Sequence, residues 1–212
     1  MRTTPRSAAA AAAVAALMAL SAACGAGFGN NDGGRDGATT TPGPVADLVG
    51  PGCADYTKKV PQGRGSFEGM ARDTVVAAAD NNPYLTAFAD AVSGRLNPRV
   101  NLVNTLNSGE FTVFAPIDTA FAKLDRVTRT KLGTRKGAAS LKKLLDYDVV
   151  AGQMTPADVA GKHRTLDGAD LMVAGSGDSI KVGTEQASVI CGGIKTKNAT
   201  VYLIDAVVMP PA

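Results

Sequence analysis

Phe111-Thr112-Val113-Phe114-Ala115-Pro116-Ile117-Asp118-Thr119-Ala120-Phe121 is the stretch on which the fold turns. Its first five residues are β-branched, aromatic or small and carry no charge, the composition of a short strand buried on both faces. Pro116 lacks a backbone N–H and stops the strand. Asp118 then suits the N-cap of a helix whose inward positions are Phe121 and Leu124. A buried strand running straight into a helix predicts a sheet with helices packed against it.

Helical periodicity dominates upstream. Ser66 to Asp80 contains a helix with Val75, Val76 and Ala79 on its apolar side. Asn82-Pro83 reads as a helix start, with the asparagine as cap, proline in the first turn, and Leu85, Phe88 and Val92 at helical spacing. Downstream, Ala138 to Asp146 turns Leu141, Leu144 and Leu145 inward and Lys142 and Lys143 to water. After Gly152 the period changes to two. Asp167-Gly168 joins Arg164-Thr165-Leu166 to Asp170-Leu171-Met172-Val173 as a hairpin. Ser179 to Val182, Ala187 to Ile190, and Lys195 to Thr196 follow as short strands, and Thr200 to Met209 is expected to be the longest. Helices first and strands last, with no βαβ alternation, is an α+β pattern.

The N-terminus describes an exported chain. Arg2 and Arg6 precede the alanine-rich run Ala8 to Leu20, and Ser21-Ala22-Ala23 leads into Cys24. This is the layout of a signal peptide, here of the bacterial lipoprotein type, in which the Cys24 thiol takes a diacylglycerol. Ser21 stands where such signals usually have leucine, and an ordinary secretory signal is the alternative. The expected organisation is a signal in residues 1–23, a Gly/Thr/Pro-rich tether in 24–46 and one folded domain in 47–212. The tether buries too little apolar surface to fold. Its Thr39, Thr40 and Thr41 can carry O-linked sugars or form an unmodified spacer. With Cys24 acylated, Cys53 and Cys191 are left, and an even pair outside the cytoplasm reads as a disulfide.

The chain carries 22 Lys plus Arg, 19 Asp plus Glu and one histidine. No basic cluster alternates with aromatics, so nucleic acid is not an expected partner. His163 sits between Lys162 and Arg164 at a strand edge, away from any nucleophile motif. Gly175-Ser176-Gly177 lacks the rest of a nucleophile elbow and reads as a turn. Asp146 with Asp148, and Asp167 with Asp170, can serve acid–base chemistry only if folding converges them in one pocket. No phosphate loop, dinucleotide fingerprint or calcium loop is present. The residues describe an exported binding domain with no catalytic, metal or cofactor site.

Three segments carry a family resemblance. Phe111 to Phe121 resembles the first signature of the fasciclin domain, with Ile117 where threonine or serine is usual. Leu144-Leu145-Asp146-Tyr147-Asp148-Val149-Val150-Ala151-Gly152 resembles its middle motif, and Asn198 to Pro210 its closing motif. The text around Gly52-Cys53-Ala54, Leu96-Asn97-Pro98 and Cys191-Gly192-Gly193 is similar to that of single-domain mycobacterial surface and secreted members. The resemblance implies a twisted β-wedge with helices packed around one end. It also implies a Cys53–Cys191 bridge from an N-terminal arm to the sheet. The family's Tyr-His pair, implicated in adhesion by some animal members, is Tyr147-Asp148 here. Histidine can donate a hydrogen bond and an ionised aspartate only accepts, which argues against the same recognition through Tyr147 and Asp148 here, and Tyr147 also reads as a core residue. The expected role is a monomeric cell-surface adhesion or protein-interaction domain. It would be held to the outer face of the membrane by lipid on Cys24, bind a surface or matrix protein, and be partly released to the medium. The alternative is an envelope carrier or sensor of a lipid or small apolar ligand.

Overall fold

A computed structural model describes residue 43 and residues 45–211. The expected signal segment, Cys24, and Thr39, Thr40 and Thr41 lie outside the described residues.

The helical half comes first. It contains α1 (Cys53–Lys59), α2 (Phe67–Met70), α3 (Val75–Asn81), α4 (Thr86–Ser93) and α5 (Val103–Asn107). The strand β1 (Phe111–Pro116) follows, then α6 (Asp118–Lys123), α7 (Arg126–Leu132) and α8 (Ala138–Tyr147). The strands β2 (Val149–Ala151), β3 (Gly161–Arg164), β4 (Asp170–Ala174), β5 (Lys181–Val182), β6 (Ala187–Lys195) and β7 (Ala199–Ile204) complete the domain. They form one sheet in the order β2-β1-β7-β6-β5-β4-β3. Only β1 and β7 pair in parallel; every other neighbour is antiparallel. Helices grouped against a mostly antiparallel sheet make the fold α+β, as the order of periodicities implies.

The sheet separates two apolar clusters, and side-chain alternation divides its central strands between them. Val113 and Ala115 of β1 and Val201 and Leu203 of β7 face the helices with Phe88, Leu141 and Leu145. Phe114, Tyr202 and Ile204 face the opposite side with Leu171, Val182 and Val189. Every residue of β1 and β7 is therefore buried, which explains why their text is uncharged throughout and mostly apolar. Asn198, in the β6–β7 turn, ties the layers together. Its Oδ1 accepts from Val75 N at 2.9 Å at the start of α3, and its Nδ2 donates to Leu106 O at 2.7 Å.

Several expected boundaries move, each for a local reason. Asn82 ends α3 rather than starting a helix; its Oδ1 accepts from Tyr84 N at 2.9 Å, and the next helix begins at Thr86. Asp118 starts α6 but does not cap it. Its carboxylate reaches across to accept from Ala87 N at 2.7 Å, satisfying an orphan donor in the first turn of α4. Ser66 to Asp80 holds two helices, with Ser66 Oγ capping the first through Gly69 N.

The two strands expected at Ala187–Ile190 and Lys195–Thr196 are one strand, β6, kinked by register shifts around Cys191, Gly192 and Gly193. A Cβ on Gly192 would lie 2.2 Å from Tyr202 Cδ1, so only glycine lets β6 pass that ring. The last strand stops at Ile204, where Asp205 turns its carboxylate to Ser188 N at 2.7 Å. The longest strand is consequently β6.

Candidate interaction site

Tyr147 and Asp148 end α8 inside the protein rather than on its surface, 4 % and 0 % exposed. The Tyr147 hydroxyl donates to the backbone carbonyl of Asp170 at 3.1 Å. Burial, reinforced by Glu185, Asp148, Asp167 and Asp170, raises its pKa. Neither carboxylate oxygen of Asp148 has a hydrogen-bond partner among the described residues. Desolvation, with Glu185 adding repulsion, pushes its pKa well above the ordinary value of 3.8. In this conformation neither side chain of the pair can touch a partner.

The remaining candidate groups are also engaged or apart. Asp146, itself mostly buried, is ion-paired with Lys142 one turn earlier on α8. Asp170 is ion-paired with Lys162 at 2.9 Å, which lowers its pKa. His163 lies on the edge strand β3, with Nε2 2.8 Å from the carbonyl of Val159. Ser176 is exposed, and its carbonyl accepts from Ser179 Oγ within a turn. Among the described residues no group of three or more His, Cys, Asp or Glu side chains could hold a metal ion.

Cys53 and Cys191 are bonded, joining α1 to β6. The arm preceding α1 lies close on the sheet: Val49 and Gly192 exchange backbone hydrogen bonds at 3.1 and 2.7 Å, and Gly52 N donates to Ile190 O at 2.8 Å. This clamp creates one wall of a groove of about 200 Å³ beside the disulfide. Tyr56 and Tyr84 line it with Ile117, Ile190 and Leu203, while Asp55 and Lys59 stand at its rim.

The aromatic wall is fixed by packing. Tyr56 stacks on Phe67 with ring centres 4.7 Å apart and lies 5.2 Å from Tyr84. Its hydroxyl donates to Gly65 O at 2.5 Å. Tyr84 is held at both backbone ends, by Asn82 and by Asp118 N, which donates to its carbonyl at 2.9 Å. Lys59 Nζ lies 5.9 Å from the Tyr84 ring centre, within cation–π range.

Small-molecule sites usually enclose about 300–1,000 Å³. This groove is smaller, the size of one inserted side chain, with an apolar floor and a charged rim. A larger cleft of about 520 Å³ is lined by Arg64, Glu68, Arg72 and Asp73, a polar wall unsuited to an apolar ligand. The sequence reading did not single out the Tyr84 wall. Its one local signal is an aromatic directly after Asn82-Pro83, a turn that presents the next side chain.

The fasciclin domain profile matches residues 83–210. Immunogenic protein MPB70 of Mycobacterium bovis is 53% identical over 175 residues, covering 82% of this chain and 89% of that protein. The cell surface glycolipoprotein MPT83 of Mycobacterium tuberculosis is also 53% identical, over 169 residues, covering 80% of this chain and 75% of that one. Among solved structures, a FAS1 domain pair from the insect cell adhesion molecule Fasciclin I overlays with a TM-score of 0.43 at 18% identity. That overlay covers 60% of this chain and 46% of the insect one.

Proposed function

Because this chain belongs to the fasciclin-domain family, we propose that it is a lipid-anchored cell-surface domain that binds other proteins and catalyses no reaction. The groove beside the Cys53–Cys191 bridge carries this reading. Its rigid aromatic wall, apolar floor and charged rim have the anatomy of a protein-binding hot spot, and its volume suits one anchoring side chain. The same volume argues against a carrier of lipid chains. Similarity to proteins named as cell surface glycolipoproteins supports placement at the outer surface. Cys24, behind the apolar run ending at Leu20, supplies the acylation site, and residues 24–46 the tether.

The test uses the exported protein as bait for cell-surface and matrix proteins, alongside Tyr84→Ser and Ile117→Asp. A protein retained by the wild type and lost from both variants supports the reading. Recovery of lipid or small molecules alone would replace it with the carrier.

A further inference from the structure

Residues 126–145 contain seven lysines and arginines and no aspartate or glutamate. The other residues of the chain carry 15 basic against 19 acidic side chains, a net charge of −4. The positive charge is thus concentrated in one continuous segment, which folds as α7, a short 3-10 turn (Arg135–Gly137) and α8 packed together.

Leu132, Leu141, Leu144 and Leu145 turn inward, and all seven basic side chains are exposed. Lys131 and Lys143 line the same groove of about 300 Å³ between the helices, with Met209 beside them. Lys142 alone has an acidic partner, Asp146; the other six have none within ion-pair distance among the described residues. The acid flanking the segment on its other side, Asp125, is occupied as the α7 cap through Thr128 N at 2.9 Å. Two apolar side chains stand out of this basic surface, Val127 at 78 % exposure and Met209 at 41 %.

We propose that the α7–α8 face is a docking surface for an anionic lipid bilayer. Lysine and arginine would meet the headgroup phosphates while Val127 and Met209 enter the headgroup–acyl boundary. Apolar tips among unpaired basic residues are the pattern of interfacial membrane binding. A specific protein interface fits poorly, because the cores of such interfaces deplete charged residues and enrich aromatics, and this face carries seven charges and no aromatic. Single-stranded nucleic acid fits poorly as well, because no aromatic residue lies between Phe121 and Tyr147 to stack a base. This surface is independent of acylation at Cys24, and its test is run without it.

The full chain carrying Cys24→Ala is mixed with vesicles of phosphatidylcholine alone or with about one third phosphatidylglycerol, at about 0.1 M salt, and bound protein is read by flotation. The N-terminal segment, with Arg2 and Arg6, also favours anionic lipid but is the same in every variant, so the share of the α7–α8 face is read from the loss in the variant below. Binding to the anionic vesicles is expected to exceed that to neutral ones by at least about tenfold, since each basic residue near such a surface contributes roughly fivefold. Replacing Arg126, Arg129, Arg135 and Lys136 by glutamine, with the circular dichroism spectrum unchanged, removes most of the difference, and about 1 M salt removes it. Val127→Gln weakens it severalfold. Equal binding to both vesicle types, or full binding by the four-glutamine variant, overturns the proposal. Preference for inorganic polyphosphate or an oligonucleotide over anionic vesicles would overturn it in favour of a soluble polyanion.

Discussion

Tyr147 donates its hydroxyl to the carbonyl of Asp170 at 3.1 Å, while Asp148, its neighbour in the chain, is fully buried with neither carboxylate oxygen bonded among the described residues. The adjacent pair therefore contributes to folding with opposite signs. Tyr147 anchors the end of α8 to the β3–β4 hairpin. Asp148 stores a cost that depends on pH.

That cost has a definite direction. Burial raises the folded-state pKa of Asp148 well above 3.8, whereas in the unfolded chain the carboxyl ionises normally. Between those two values the native state holds a proton that the unfolded state has released, so this group's contribution to stability falls as pH rises. Asp148→Asn is expected to raise Tm at pH 8 by a few degrees, about 1 kcal/mol or more, and to change little near pH 3.5. Thermal melts of both proteins across that range check it. A variant destabilised equally at every pH would mean that Asp148 is not a neutral buried acid.

The arm is held on the sheet by its backbone hydrogen bonds and by the bond between Cys53 and Cys191, which are 138 residues apart. A loop of that length corresponds to roughly 5 kcal/mol of unfolded-state entropy as an upper figure. Cys53→Ser with Cys191→Ser should lower Tm by about 10 °C or more, and reductant should do the same to the wild type. Because the arm forms one wall of the groove, the double variant should also lose partner binding before the core melts. Calorimetry and binding measured at one intermediate temperature separate the two effects.

Gly192 faces the ring of Tyr202, a fully buried side chain of the second core. A methyl group there would sit 2.2 Å from a carbon of that buried ring. Gly192→Ala should cost about 2–3 kcal/mol from overpacking, read as a lower midpoint in urea at unchanged slope. A cost near zero would show that the ring can rotate away.

The sequence made the centre of the fold legible because there local signals and tertiary packing agree. The run Phe111 to Ala115 carries no charge at any position and becomes the buried β1; Leu141, Leu144 and Leu145 face inward from α8 as their spacing requires. Legibility failed where a polar side chain serves a distant segment. Asp118 has the sequence position of a cap for its own helix, yet satisfies Ala87 N, and Asn82 closes a turn instead of opening a helix.

At the candidate site the disulfide could be expected from cysteine count, but the groove could not. It is assembled from Tyr56, Tyr84, Ile117 and Leu203, which only the folded chain brings together. The charge segregation in residues 126–145 is different, since counting acids alone would have revealed it.

Retention of the protein on intact cells, compared between wild type and Cys24→Ala after a wash in about 1 M salt, tests the central claim most directly. Salt at that level screens attraction through the α7–α8 face and leaves an acyl anchor in place. The account predicts that the wild type stays with the cells and is digested by added protease. Cys24→Ala should wash into the medium or remain as the unprocessed chain. Mature Cys24→Ala retained as firmly as the wild type, or a wild type released by the wash, would contradict a lipid-anchored surface domain.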